Sequence, residues 1–462
     1  MMTRRQVRLG FAPTRRELFS REEAGRYKRL IGEKLRELQV DFVDLEWLND
    51  EGLLYDAAGA AEAAARFHSE GVEALFVPHC NFGTEDAVAK LGKALGKPLL
   101  LWGPRDDHPL TDGSRTRDSQ CGLFATSKVL RRFGVPFSYI TNCRLEDQAF
   151  ADGLRRFLGA AAAVKSFTHL RIGQIGTRPA SFWSVIVNEG ELLERFGIEI
   201  VPVSLVTIVQ AMKDKLHSSA PQVEETAAAF AGMADWTGID REDMLKMAAL
   251  KLAMAEWAGN EGCTAVALQC WNALQEATGI MPCFVNGVLT DAGLPIACET
   301  DIHGAITSVI LSAAASWQSP TFFADLTIRH PENDHAELLW HCGPFPRSLK
   351  AESAEAKVGE HYVLPSACPG VAEWQIKGGD VTIARFDGDH GEYKLLFGEG
   401  RGVTGPKNRG TYMYIQVDDW PRWEEKFIYG PYIHHVAGVH GKAAGALEEA
   451  CRYLPSLQPD RL

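Results

Sequence analysis

The stretch EALFVPHCNFGTEDAVAKLGKALGKPLLLWGPRD, residues 73–106, decides the fold class. It opens with an apolar run at 73–78 that reads as a strand. An amphipathic stretch at 84–95 reads as a helix, and the apolar run at 98–103 as another strand. Strand, helix and strand in succession make a βαβ unit, so the two strands run parallel. In such sheets ligands meet the loops that follow the C-terminal strand ends. Those loops are 12–16, 79–84 and 102–117, and all are dense in polar side chains.

Working outward, 6–11 and 40–45 read as further strands, with helices at 21–38 and 58–69. A second α/β set begins near His169, with strands at 170–175, 198–203 and 264–270 and helices at 182–195, 222–236 and 240–259. After residue 293 the texture changes. A small-residue helix at 304–317 precedes β-like runs at 337–341, 381–386, 393–397 and 412–417, and a last helix is expected at 442–453. The expected fold is α/β: two doubly wound parallel-sheet domains (1–166 and 167–292) plus a β-rich C-terminal domain (293–462) that carries part of a metal site.

The chain has 462 residues and a net charge of −12. An acidic balance argues against a nucleic-acid or anionic-membrane partner, because such surfaces need clustered Lys and Arg. No apolar run is long enough to span a bilayer, and the N-terminal stretch lacks the apolar core of a signal peptide. The 10 cysteines form no C-x-x-C pair and read as reduced thiols of a cytoplasmic enzyme. No G-x-G-x-x-G follows a strand, and neither G-x-S-x-G nor H-E-x-x-H occurs. The segment 400–405 has P-loop glycine spacing, but Pro406 displaces Lys407, so it reads as a flexible loop.

Four clusters could carry chemistry. The first is CWNALQEATG (270–279) with PIACETDIHGA (295–305), which bring Glu276, Glu299 and Asp301 close in sequence. Carboxylates near strand ends suit a hard divalent cation. If 297–301 is extended, Glu299 and Asp301 share a face; alternatively one of them only caps the helix that follows. The second is GPYIHHVAGVHG (430–441), whose adjacent His434 and His435 face opposite ways in an extended segment, so one of the pair can ligate. The third joins HCNFGTED (79–86) to WGPRDDHPLTDGSRTRDSQCG (102–122), either a substrate-recognition or intersubunit surface or a salt-bridge network. The fourth is ELLWHCGPFP (337–346), where His341 and Cys342 end a strand; adjacent residues make a poor nucleophile and base.

The motifs PHCNFGTEDA (78–87), LLWGPRD (100–106), RDSQCGLFA (117–125), QEATG, ACETDIHGA and HHVAGVHG carry a resemblance. By them the chain resembles the L-fucose isomerase and L-arabinose isomerase superfamily along most of its length, and is most similar to its fucose isomerase-like members. The resemblance implies Mn²⁺, with Co²⁺ or Mg²⁺ as alternatives, held by two carboxylates and one His. Carried over, Glu276 is the first carboxylate, Asp301 the second and His435 the late His. Glu299 matches a neighbouring acidic position, His434 touches substrate, and the choice between the two histidines stays open. The resemblance also implies a homo-oligomer, a hexamer or else a trimer, whose active sites take residues from a neighbour; Arg16, Asn81 and Arg105 are the candidates. Gln269, Trp271 and His341 are further candidate substrate contacts.

The implied activity is a sugar ketol-isomerase acting through a cis-enediol, with Glu276 and Asp301 as both ligands and proton carriers. A metal-dependent lyase or epimerase, or a non-catalytic sugar-binding protein, are the alternatives. A neutral pentose or deoxyhexose is the simpler substrate. Arg16, Arg105, Arg115 and Arg117 could instead hold a sulfonate or carboxylate.

Overall fold

The computed structural model describes residues 6–363 and 367–462. The chain forms two compact units, one built from residues up to 165 with 448–455, the other from 166–447 with 456–462. In the first unit five strands, β1 (Leu9–Phe11), β2 (Phe42–Val43), β3 (Ala74–Pro78), β4 (Leu99–Trp102) and β5 (Ser138–Tyr139), pair in parallel in the order β2-β1-β3-β4-β5. Strands β3 and β4 are buried at every position, as parallel strands covered on both faces must be. The helix between them, Glu85–Leu95, carries Glu85 and Asp86 in its first turn and stops on left-handed Gly96. The expected βαβ reading of 73–106 is what the structure shows.

The second unit opens with another parallel sheet: β6 (Arg171–Ile175), β7 (Glu199–Val203), β8 (Ala265–Leu268) and β9 (Ile296–Ala297), ordered β7-β6-β8-β9. Between β7 and β8 run three helices, Leu205–Ser218, Ala220–Ala231 and Arg241–Asn260. The first is absent from the sequence expectation. Its opening LVTIV is β-branched and reads poorly as helix, yet Leu205, Ile208, Val209 and Met212 fall at helical spacing and are buried.

The β-rich part comprises β10 (Phe322–His330), β11 (Asn333–His341), β12 (Lys357–Glu360), β13 (Pro369–Gln375), β14 (Gly379–Asp389), β15 (Glu392–Val403), β16 (Thr411–Gln416), β17 (His435–His440) and β18 (Leu457–Arg461). Six of these close on themselves in the cyclic order β16-β11-β10-β17-β14-β15, every pairing antiparallel. The result is a barrel, with β13 beside β16, β12 beside β13, and β18 beside β15. The helix Ile302–Ala314 is buried at every position. It packs against β8 and β9 on one side and against β10, β14 and β17 on the other, which explains its all-round small and apolar composition.

The loop expected at 400–405 is corrected: residues 400–403 belong to β15 and close the barrel, with Gly402 opposite Ile415. The glycines are there for proximity. A Cβ on Gly400 would lie 2.6 Å from the Gln416 carbonyl oxygen. A Gly400→Val substitution should therefore destabilise the protein by about 1–3 kcal/mol through overpacking against backbone. Urea unfolding would show the lower midpoint, and an unchanged midpoint would refute tight closure.

Candidate functional site

The chain leaves β9 through a turn at Cys298–Thr300 in which both Glu299 (φ 55°) and Thr300 (φ 56°) are left-handed. The extended geometry expected for 297–301 is thus corrected, and Glu299 and Asp301 play different parts. Two consecutive non-glycine residues in this region are strained, a feature found where a side chain must be aimed. The backbone N–H of Glu299 donates to Cys270 Sγ at 3.4 Å, and Trp271 Nε1 donates to Glu299 Oε1 at 3.2 Å. Both partners follow β8, so the C-terminal ends of two parallel strands converge on this carboxylate.

Asp301 is fully buried and saturated. Its Oδ1 accepts the Gly304 N–H at 2.8 Å, capping the helix Ile302–Ala314. Its Oδ2 pairs with Arg385 Nη1 and lies 2.8 Å from His435 Nδ1. That hydrogen bond puts the proton on Nδ1 and turns His435 Nε2 away from Asp301. Nε2 faces two other carboxylates, Glu299 Oε2 at 3.1 Å and Asp325 Oδ1 at 3.4 Å. Asp325 stands directly opposite His435 in the β10–β17 ladder, so their side chains share a face. Phe323, two residues earlier on the same face, packs its ring edge-on to His435 at 5.0 Å.

His341, at the end of β11, completes the wall. Its Nδ1 accepts the Cys342 N–H at 2.9 Å, and its Nε2 lies 3.9 Å from Glu299 Oε2. His434 Nε2 lies 4.0 Å from Asp325 Oδ1 at the more exposed rim. Two polar atoms here are buried without a hydrogen-bond partner, Asp325 Oδ1 and His341 Nε2. Buried polar atoms are rarely left so. Asp325, His434 and His435 offer ligand atoms within 4.8 Å of one another, and with Glu299 they make an oxygen and imidazole donor set suited to a hard or borderline divalent cation.

The electrostatics follow from this crowding. Burial raises the Glu299 carboxyl, but the His435 hydrogen bond and the charge of His341 outweigh it and hold the group at about 2. At Asp301 burial is outweighed by Arg385 and then His435, and the carboxyl sits far below its usual range. Burial lowers His435, yet hydrogen bonds to Asp301 and Glu299 and the charge of Asp325 push it up to about 10. In effect a proton on His435 offsets the charge of the two carboxylates, Glu299 and Asp325, that crowd its Nε2.

The remaining expected residues scatter. Glu276 lies on the short helix Ala273–Thr278 with its carboxylate exposed, and no hydrogen bond or ion pair among the described residues links it to the cluster. Gln269 Oε1 accepts the Thr177 N–H at 3.0 Å and lines a cleft of about 420 Å³ beyond β6, β7 and β8. In the first unit, Asn81 is buried and its amide ties the loop backbone at Arg16, Ser20 and Gly83. Arg117 is buried against Glu23, Asp106 and Asp107, and Arg115 pairs with Asp118, so much of that loop is the salt-bridge network. Arg16 stacks on Phe82, and Arg105 is exposed with no ion pair among the described residues. Sequence reasoning missed Asp325; its only signal is an acid at the end of the otherwise apolar run FFAD, on the same strand face as Phe323.

Comparison with known proteins adds to this geometry. Residues 10–168 match the family model described as fucose/sulfoquinovose isomerase, N-terminal domain, and residues 339–456 match L-fucose isomerase, C-terminal domain. Among curated relatives, the sulfoquinovose isomerase of Priestia aryabhattai is 26% identical over 83% of this chain and 84% of its own. That of Alkalicoccus urumqiensis is 29% identical over 69% of this chain and 70% of its own. That of Clostridium sp. (strain MSTE9) is 24% identical over 79% of this chain and 81% of its own.

The depressed carboxyls predict acid sensitivity. Their contribution is present above the unfolded carboxyl value near 4 and is lost as pH falls through the folded one. Between pH 5 and pH 2 the metal-free protein should lose on the order of 2–3 kcal/mol through Glu299 alone. Glu299→Gln should flatten that limb in urea titrations, and an equally steep fall in the variant would contradict the assignment. His435 acts with the opposite sign: its contribution is complete below about 6.5 and is lost as pH rises through about 10.

Proposed function

We propose that this chain, which belongs to the fucose isomerase-like family of sugar isomerases, is an aldose–ketose isomerase that depends on a divalent cation, Mn²⁺ by preference. Glu299, Asp325 and His435 would hold the cation. The observation that carries this reading is Asp325 Oδ1, buried without a hydrogen-bond partner and facing the same His435 nitrogen as Glu299 Oε2. The ligand roles expected for Glu276 and Asp301 pass to Glu299 and Asp325. Glu276 is exposed, and both Asp301 oxygens are already engaged.

A cation held there would supply Lewis acidity to the sugar, worth several kcal/mol in order of magnitude. The protein does the rest. Trp271 fixes one oxygen of Glu299, leaving the other to face the substrate side. Glu299 and Asp325 carry the proton between C2 and C1 of the open-chain sugar. His341, whose Nδ1 is occupied by the Cys342 N–H, presents its Nε2–H to a sugar oxygen. Phe323 and Phe182, packed against His435 at 5.0 and 5.6 Å, limit water around the base.

The substrate we favour is an anionic sugar of the sulfoquinovose type, because each of the relatives described is a sulfoquinovose isomerase. Arg105, exposed with no ion pair among the described residues, is the arginine of the polar loops best placed to receive a sulfonate, and Arg16, whose pairing with Glu85 spans 3.7 Å, is the second; Arg115 and Arg117 are held by closer carboxylates. In a cytoplasmic homo-oligomer, hexamer or trimer, Arg105 and Arg16 would be contributed by a neighbouring copy.

Proton NMR in D₂O with sulfoquinovose and a panel of neutral aldoses, on metal-stripped and Mn²⁺-loaded protein, tests the activity. Ketose should appear with deuterium at the carbon beside the carbonyl, only with metal. Glu299→Gln and Asp325→Asn should lower the rate by about 10²–10⁴-fold, whereas Glu276→Gln should retain it. The reverse ranking would return the site to Glu276. Mn²⁺ must also displace the proton on His435, so its affinity should rise by about tenfold per pH unit between pH 6 and 8. A pH-independent affinity would exclude His435 as the ligand.

A further inference from the structure

Behind His435 lies a buried array whose members touch neither substrate nor the proposed cation. Arg385, on β14, has no exposed side-chain surface. Its Nη1 pairs with Asp301 Oδ2, and its Nε donates to Asp387 Oδ2 at 2.8 Å. Asp387 Oδ1 in turn lies 2.9 Å from His303 Nδ1 and accepts the Gly388 N–H at 3.0 Å. His303 is buried, edge-on to Phe386 at 5.1 Å.

The arrangement has a simple origin. Arg385 and Asp387 stand two apart on a strand and so share a face. Asp301 and His303 stand two apart at the start of the helix Ile302–Ala314. The two pairs interlock, acid to base and base to acid, so that the helix start is pinned to β14 at two points. A third tie runs alongside, from the Phe386 N–H to Thr307 Oγ1 at 2.9 Å.

A buried guanidinium is costly to desolvate, and apolar residues can often replace such groups without loss of stability. Packing alone therefore does not account for it. Asp301 is the acceptor on which the orientation of His435 depends, and an aspartate with a free side chain torsion could swing or take the His435 proton. Arg385, reaching Asp301 through Nη1 and held from behind by Asp387 through Nε, fixes both the position and the charge of Asp301.

We infer that Arg385, backed by Asp387 and His303, is a positioning residue for the cation site: it locks Asp301, which aims His435 Nε2 at Glu299 and Asp325. The inference rests on the cation reading given above. It concerns orientation two bonds removed from the ligands, where outer-shell partners typically change metal affinity or activity by about 10–100-fold.

The test is Mn²⁺ binding followed by EPR on the full-length protein and on Arg385→Met, Arg385→Lys and Asp387→Asn, with circular dichroism, thermal unfolding, kcat and KM beside it. Folded Arg385→Met should bind Mn²⁺ about tenfold or more weakly and lose kcat more than sugar KM changes. Arg385→Lys should recover part of the affinity, since it keeps the charge and loses the fork. Asp387→Asn should show a smaller loss of the same kind. Affinity within about twofold of the parent in folded Arg385→Met would overturn the positioning role and reduce the array to a clamp. Should Arg385→Met not fold, Asp387→Asn decides alone, a weaker affinity supporting the inference and a parental one refuting it. A parent protein that binds no Mn²⁺ would instead overturn the cation reading itself, and this inference with it.

Discussion

The hydrogen bond between Asp301 and His435 is the contact on which the site depends. One oxygen of Asp301 starts the central helix, and the other receives a ring N–H from a barrel strand. A single carboxylate thus sets the helix position and the histidine tautomer together. Everything on the far side of the imidazole follows: Nε2 points at Glu299 and Asp325 because Nδ1 is taken. The geometry resembles other carboxylate–histidine arrangements in which the outer acid orients the ring rather than the reacting group.

The α/β part was legible in the sequence because parallel strands buried on both faces are short apolar runs, and ALFVP and LLLW announce themselves. The barrel was legible only as a β-rich region. Closure is a long-range fact, decided by which strand lies beside which, and local texture made the glycines at 400 and 402 look like a loop. At the site, His435, Asp301 and Glu299 stand in motifs that polar chemistry in an apolar setting makes visible. Their division of labour was not visible, since it turns on two left-handed residues at 299 and 300. Glu276 drew attention by spacing along the chain, whereas Asp325 earns its place by spacing across a ladder, opposite His435.

Two buried thiols beside the site show how surroundings sort donors. Cys298 precedes Glu299, and Cys342 follows His341. A hydrogen bond with Cys270 and then burial raise the Cys298 thiol well above its usual value. At Cys342, contact with Cys283 at 3.4 Å leads and burial follows, with the same result. Soft sulfur ligands therefore stay protonated beside a hard oxygen and imidazole set.

The site is also scattered along the chain. Arg385 and Asp301 are 84 residues apart, and Asp301 and His435 are 134 apart. No fragment shorter than the barrel brings them together, and the β10–β17 ladder that seats Asp325 against His435 must form across a long loop. Such topologies have high contact order and fold slowly. The donors Glu299, Asp325 and His435 come together only once the barrel has closed, so an ion held there would not template folding but would report its completion.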